Sequence, residues 1–299
     1  MGVNMLLVEK LNHQMNMSSG EKSIADFILA IGGKLNKYST RNIADSTYTS
    51  PATVIRLCKK MGYSGFDEFK EQYIKEINYL EQQHGDVDVN FPFSKDDTIS
   101  KTANKICRLY EQTVKDTLSI MQYDMLQKAV TLIKYCDTLY VFSAGTALNH
   151  AEAFKEKMMK IGRNVVISSN LNYQLYEVNC INKKDCALII SYSGETEKTL
   201  LVAQTCKEKS IPIIAFTSFG ENALSQLATC KLLISTRESL FHNIADFSSH
   251  LSINLLLDVL YAAFYLQKYD ENYQYKLTLV KHMESLRHST NPFLINLDE

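Results

Sequence analysis

Between Ser18 and Leu80 the apolar residues return at helical spacing, with Ile24, Phe27, Ile28 and Ile31 on one stripe and Val54, Leu57, Cys58 and Met61 on another. No alternating pattern interrupts them. The spacing predicts helices at about 20–32, 40–46, 51–62 and 66–80, so the first part is all-helical. Residues 81–98 carry Gly85, Pro92 and several aspartates without a sustained period and read as a linker. Helical patterning resumes at about 98–134.

Past Asp137 the pattern changes to short β-rich apolar runs: Thr138–Ser143, Asn164–Ser168, Ala187–Ser191, Pro212–Thr217 and Lys231–Ser235. Helical stretches at about 146–161, 172–181, 196–209 and 221–228 separate them, and a last helix covers about 243–267. Alternation of strand and helix implies right-handed crossovers and a three-layer α/β domain with a parallel sheet, for which a flavodoxin-like order of 2-1-3-4-5 is the working expectation. The expected division is an all-α helix-turn-helix domain at 1–80, a linker at 81–100 and the α/β domain at 101–285.

Composition adds a charge asymmetry. The 299 residues are 45% apolar and 22% charged, as in ordinary globular domains, and carry a net charge of −1. Residues 1–62, however, hold eight Lys/Arg against four Asp/Glu and are locally +4. The seven cysteines are scattered and never spaced as Cys-x-x-Cys, which fits reduced cytosolic thiols better than disulfides or a zinc site. No clustered His/Cys spacing suggests a metal, and no cofactor is expected. The N-terminal run MGVNMLLVEKLN has no secretory character, and the longest apolar stretch, Leu255–Leu266, is interrupted by Asp258 and too short for a bilayer span. A cytoplasmic protein without a membrane partner is the expectation.

The segment Thr40 to Met61 has helix-turn-helix spacing. Ala44 is the small residue that lets two helices approach, and Ile43, Val54 and Leu57 form their shared seam. Ser50 and Pro51 make a strong helix start, a hydroxyl cap followed by proline where a missing N–H costs nothing. On the second helix, Ala52, Thr53 and Arg56 are placed to meet base edges, with Lys59 and Lys60 near phosphates. Arg41 and Ser50 complete the candidate duplex-contacting set. A helical docking domain with solvated lysines is the plainer alternative. Tyr48 occupies the turn position where glycine usually supplies a positive φ, so that turn is either different or strained.

In an open parallel sheet, ligands bind beyond the carboxyl ends of strands where the strand order reverses. The two loops expected there are Ser143-Ala-Gly-Thr-Ala147 and Ser191-Tyr-Ser-Gly-Glu-Thr196. The second has a phosphate cradle's chemistry: hydroxyls at Ser191, Ser193 and Thr196, and Gly194 freeing backbone N–H groups ahead of a helix start. It lacks the lysine of a nucleotide-binding P-loop, and no Gly-x-Gly-x-x-Gly occurs, which argues against nucleoside triphosphates and dinucleotides. The same residues also serve ordinary strand-to-helix turns.

With these residues in hand, the chain resembles the RpiR family of bacterial transcriptional regulators, which join a helix-turn-helix to a flavodoxin-like SIS (sugar isomerase) domain. The likeness runs through Ser18 to Ile28, Ala44, Thr53 to Phe66, Ile190 to Thr196 and Leu257 to Tyr261. The resemblance implies an operator-binding regulator of carbohydrate genes, a sugar-phosphate effector and a homodimer or higher homo-oligomer. By that resemblance the two loops hold the effector, with Ser191, Ser193 and Thr196 on the phosphate side; Gly145, Thr146, Ala147, Tyr192 and Gly194 of the same loops and Glu238 just after the fifth strand complete the candidate set. Two departures fall in this set's surroundings: Ala147 stands where the family commonly has serine, and His250 follows Ser249 where it commonly has arginine. The rival activity is aldose–ketose isomerisation, for which Glu195, Glu238, His242 and His250 are candidate bases by residue type. A non-DNA-binding interaction protein is the third reading. Pairing of two chains is expected along Leu251–Leu266, with the helical stretch at 98–134 as a lever.

Overall fold

The computed structural model of the chain describes residues 6–81, 87–283 and 291. Contacts divide these residues into two units, one up to Ile120 together with Phe241–Ile244, the other comprising the rest from Met121 onward.

The first unit contains α1 (Leu7–His13), α2 (Ser19–Ile31), a 3₁₀ turn (Gly32–Lys37), α3 (Thr40–Ser46), α4 (Pro51–Lys60), α5 (Phe66–Glu81) and α6 (Ile99–Ser119). Its helices start where hydroxyl caps dictate: Ser18, Ser39, Ser50 and Thr98 each accept a backbone N–H of the first turn. The amphipathic stripes of α2, α3, α4 and α5 close on one core of Ile24, Ile28, Ile43, Val54, Leu57 and Phe69. Tyr73 is fully buried there because its hydroxyl donates to the Ile28 carbonyl at 2.9 Å. Helix α1, absent from the sequence expectation, seats Leu7 and Leu11 in this core. The buried Glu76 carboxylate receives the Val8 N–H at 3.1 Å and holds the start of α1, and burial raises its pKa.

The second unit contains α7 (Tyr123–Tyr135), β1 (Leu139–Ser143), α8 (Ala147–Met159), β2 (Val165–Ile167), α9 (Leu171–Cys180), β3 (Cys186–Ile190), α10 (Glu197–Glu208), β4 (Ile213–Ser218), α11 (Ala223–Leu227), β5 (Cys230–Ile234), α12 (Phe247–Tyr265), a 3₁₀ turn (Leu266–Lys268) and α13 (Tyr269–Met283). The sheet is parallel throughout, in the expected order β2-β1-β3-β4-β5. Side chains alternate between its faces. Val141, Leu188, Ile214 and Leu232 meet α7, α8 and α12, whereas Phe142, Ala187, Ile213 and Ala215 meet α9, α10 and α11.

The helical stretch expected at 98–134 is two helices. It breaks at Ile120–Gln122, and the division between units falls at that break rather than at residue 101, leaving α6 grouped with the N-terminal unit. Residues Phe247–Met283 form a run long and apolar enough by composition to cross a bilayer. Its apolar character has a core explanation, because Ile253, Leu256, Leu257 and Leu260 are buried against the sheet within their own chain. For the same reason these four side chains are not available to a second copy. All seven cysteines are free thiols.

Candidate functional site

In the first unit the two helices of the motif meet as expected. Ala44 and the seam residues Ile43, Val54 and Leu57 are buried, and the Thr49 N–H donates to the Ala44 carbonyl at 2.9 Å, closing the turn. Pro51 is the first residue of α4, and the Ser50 hydroxyl accepts the Thr53 N–H at 3.2 Å. Ala52, Arg56 and Lys59 form an exposed face, to which the structure adds Ile55, 39% exposed and unmarked in the sequence reading. Arg56 Nη2 donates to Thr53 Oγ1 at 3.1 Å, and Thr53 Oγ1 lies 2.9 Å from Ser50 Oγ. The guanidinium is thus held near the start of the helix. Arg41 is exposed on α3.

Lys60 is held differently from Lys59. Its ammonium donates to Glu21 Oε2 at 2.7 Å and to the Asn16 carbonyl at 2.6 Å, tying the end of α4 to the start of α2. That hydrogen bond, with the Ser18 N–H, lowers the Glu21 pKa.

In the second unit a cavity of about 250 Å³ opens beyond the ends of β1 and β3, where the strand order reverses. This is near the small end of ligand pockets, ~300–1,000 Å³. Gly145, Thr146 and Ala147 line it from the first loop, and Ser191, Tyr192, Ser193 and Thr196 from the second. The loop after β3 is braced from below: the Ser191 N–H donates to the Phe216 carbonyl at 2.9 Å, the Leu224 N–H to the Gly194 carbonyl at 3.0 Å, and the Tyr192 hydroxyl to the Glu238 carbonyl at 2.6 Å. Gly194 has φ +68° and lies beneath the cavity rather than on its wall. A Cβ there would come within 2.1 Å of Asn222 Oδ1.

Both helices that begin at this cavity, α8 and α10, lack a side-chain cap. Six other helices, α2, α3, α4, α6, α9 and α11, have one. The hydroxyls at the two uncapped starts turn elsewhere: Thr146 Oγ1 lies 2.6 Å from His250 Nε2, and Thr196 Oγ1 lies 3.3 Å from Ser191 Oγ. At α8 the Leu148 and Asn149 N–H groups turn back to the Gly145 and Thr146 carbonyls at 3.3 and 3.0 Å, so it is the start of α10, at the positive end of its helix dipole, that suits an anion. Among the described residues no lysine or arginine lines the cavity, whose charged or chargeable groups are Asp246 and His250. The His150 ring centre is 5.4 Å from that of His250, and burial, together with His250, lowers the His150 pKa.

The carboxylates singled out in the sequence have structural partners. Glu238 is 5% exposed and accepts the N–H groups of Ser248 and Ser249 at 3.0 and 2.9 Å, which caps α12; it is not among the cavity-lining residues. Glu195 Oε1 accepts the Ala223 N–H at 2.9 Å at the start of α11. His242 stacks edge-on against Phe91, ring centres 5.0 Å apart, in the first unit. Of the four candidate bases, His250 alone lines the cavity.

Comparison with known proteins bears on both parts. The model of the helix-turn-helix domain of the rpiR family matches residues 5–79, and that of the SIS domain matches residues 132–263. An uncharacterized HTH-type transcriptional regulator, YbbH, of Bacillus subtilis (strain 168) is 27% identical over 266 residues, spanning 88% of this chain and 91% of that one. A second uncharacterized HTH-type transcriptional regulator, from Clostridium perfringens (strain 13 / Type A), is 25% identical over 272 residues, 91% of this chain and 96% of its own. Among solved structures, the Vibrio vulnificus NanR protein complexed with ManNAc-6P matches with a TM-score of 0.57 at 21% identity, covering 95% of this chain and all of that one. That likeness is one of fold. The chain thus joins a helix-turn-helix domain of the rpiR family type to a SIS domain, in that order, as its HTH-type regulator relatives do across most of their length.

Proposed function

We propose that the chain is a cytoplasmic regulator that binds a double-stranded operator through the exposed face of α4 and answers to a sugar phosphate held between the loops after β1 and β3. Arg56 and Ala52 face base edges, Ile55 offers an apolar surface suited to thymine methyls, and Arg41, Ser50, Thr53 and Lys59 contact the backbone nearby. Lys60 contributes charge from its bridge to Glu21. Residues 1–80 form the DNA-binding domain and the α/β unit from Met121 onward the effector domain, which pairs with a second copy to present two recognition helices.

The observation that carries the effector reading is the uncapped start of α10 facing a hydroxyl-lined cavity without a fixed cation among the described residues. Such a site holds a phosphate by N–H and O–H donation and leaves room beside it for a hydroxylated body. Ser193, Ser191 and Thr196 hold the phosphate through their hydroxyls, Thr146 and His250 meet the sugar, and Gly145 and Ala147 shape the wall. The NanR structure, bound to ManNAc-6P, favours an amino sugar 6-phosphate or a close relative. Glu238 supports the site by holding α12 in place.

Binding without turnover is part of the proposal, because Glu195 and Glu238 are both engaged as helix caps. Isomerisation has His250 in its favour, so the panel below includes a turnover arm. Thermal-shift titration of the purified chain with sugar phosphates and their unphosphorylated counterparts is the test. Stabilisation by the phosphorylated form alone is expected, ~2.7 kcal/mol at a hundredfold excess over Kd. It should be lost in Ser193→Ala, with no interconversion of isomers seen by NMR. Equal shifts from neutral sugars would defeat the phosphate assignment, and turnover would defeat the non-catalytic one.

A further inference from the structure

Tyr48 lies in the turn between α3 and α4 with φ +50°, a left-handed conformation that tyrosine adopts only under strain. Asparagine or aspartate can relieve such strain with a short local hydrogen bond, but a phenol cannot. Nor does the ring return anything to the fold. Tyr48 is 99% exposed and has no hydrogen-bond or ring partner among the described residues.

The conformation is fixed by its neighbours. Thr47 donates its N–H to the Ile43 carbonyl at 3.0 Å, Thr49 donates its N–H to the Ala44 carbonyl at 2.9 Å, and the two threonine hydroxyls lie 2.9 Å apart. The residue between them is therefore presented outward, two positions before the Ser50 cap of α4. Strain held in place without an intramolecular return is a feature of contact sites. Tyr48 stands exposed at the entry to the helix whose exposed face carries Arg56 and Lys59.

We propose that Tyr48 is an uncharged clamp on the sugar–phosphate backbone of the duplex, its hydroxyl donating to a phosphate oxygen while the ring covers the adjacent deoxyribose. The inference rests on α4 being the DNA-reading helix. The turn leading into a helix seated in the groove meets the strand bordering that groove, and tyrosine hydroxyls are regular donors to phosphate oxygens. Because a phenol is neutral, it displaces no counterion. Its loss therefore weakens binding to every sequence alike and leaves the salt dependence unchanged, unlike the loss of a lysine. The residue that a stable turn prefers and the residue that binding requires are thus different at this position.

The experiment is fluorescence anisotropy of the full chain with a labelled duplex from upstream of its own gene and a scrambled duplex of equal length, at several salt concentrations. It compares wild type, Tyr48→Gly, Tyr48→Asn and Arg56→Ala, with a thermal melt of each. Glycine and asparagine both accept the left-handed turn, so both variants should melt at or above the wild-type midpoint. Both should bind either duplex about fivefold more weakly, the worth of one neutral hydrogen bond, at an unchanged salt slope. Wild-type affinity in both variants while Arg56→Ala binds poorly would overturn the clamp and leave the α4 reading standing. Wild-type affinity in all three would overturn that reading as well. A lowered melting midpoint would make Tyr48 a residue of the fold, and a protein rather than DNA partner would follow if transcription fell while DNA binding held; either result ends the proposal.

Discussion

Replacing Gly194 with alanine puts a methyl group where the loop after β3 has no room for one. At φ +68° an L-residue is strained by ~1–2 kcal/mol. The new Cβ would stand 2.1 Å from Asn222 Oδ1 and 2.8 Å from Thr217 Oγ1, both on buried side chains. Asn222 cannot simply turn aside, because the same Oδ1 accepts the Ser225 N–H at 2.9 Å and caps α11, a contact worth ~1 kcal/mol. Against these stands ~0.4–1 kcal/mol from the stiffer unfolded chain. The net is a destabilisation of about 1–2.5 kcal/mol, or a fall of roughly 2–10 °C in the melting midpoint of a domain this size.

Gly145→Ala is the matched control. Its φ is +64°, but nothing lies within 4 Å of an added Cβ, so only the backbone strain remains, about 1 kcal/mol after the same correction. Circular-dichroism melts and urea titrations of both variants measure the difference. If Gly194→Ala were no less stable than Gly145→Ala, the packing of Asn222 and Thr217 beneath the loop, and with it the shape of the cradle, would be wrong.

On the DNA side, Arg56→Ala should relax sequence preference at a cost of ~1–3 kcal/mol, whereas Lys59→Ala should weaken all sequences alike and flatten the salt slope by about one ion; indistinguishable variants would misplace the reading face. Glu238→Gln should lower stability by ~1–3 kcal/mol through loss of a buried, charge-assisted cap on α12 yet keep effector binding; the reverse pattern would make Glu238 a ligand group. Glu21 is an acid with a folded-state pKa below the unfolded one, so its contribution is complete above the ordinary carboxylate pKa and is lost as pH falls through the lowered folded value. Lys60→Ala should therefore remove part of the acid sensitivity of unfolding, seen by comparing melts at neutral and acidic pH; parallel curves for variant and wild type would contradict this.

Much of the architecture was readable because local rules repeat. Ser50 before Pro51 fixed the start of α4 to the residue, and the alternation of β-rich runs with helices carried the parallel sheet with helices on both faces, while its strand order came from the flavodoxin-like pattern. What escaped was short, exposed or tertiary. Helix α1 offers only Leu7 and Leu11 as a stripe, too little to define a period, and α13 buries nothing and so has no stripe to read. The break at Ile120–Gln122 interrupts a pattern that stays amphipathic on both sides.

The site was legible in its loops and not in its supports. Hydroxyls and glycines clustered after β1 and β3 pointed to the cavity, but whether a carboxylate such as Glu238 reaches a ligand or caps a helix depends on a contact with Ser248 and Ser249 that no spacing rule announces. Lys60 likewise looks like Lys59 until Glu21, far away in sequence, approaches it. The missing side-chain caps of α8 and α10 show only when the Thr146 and Thr196 hydroxyls are traced to their partners. Tyr48 is the opposite case, since its unusual residue type marked the strained turn directly.

The central question is whether an anion bound at the sheet's switch point alters duplex affinity at α4. The measurement is the dissociation constant of the full chain for a duplex from upstream of its own gene, with and without a saturating hexosamine 6-phosphate, beside the same sugar unphosphorylated. A change in affinity with the phosphorylated sugar alone, abolished in Ser193→Ala, is the predicted result. Identical constants under all three conditions, with binding of the phosphorylated sugar verified by calorimetry, would contradict it.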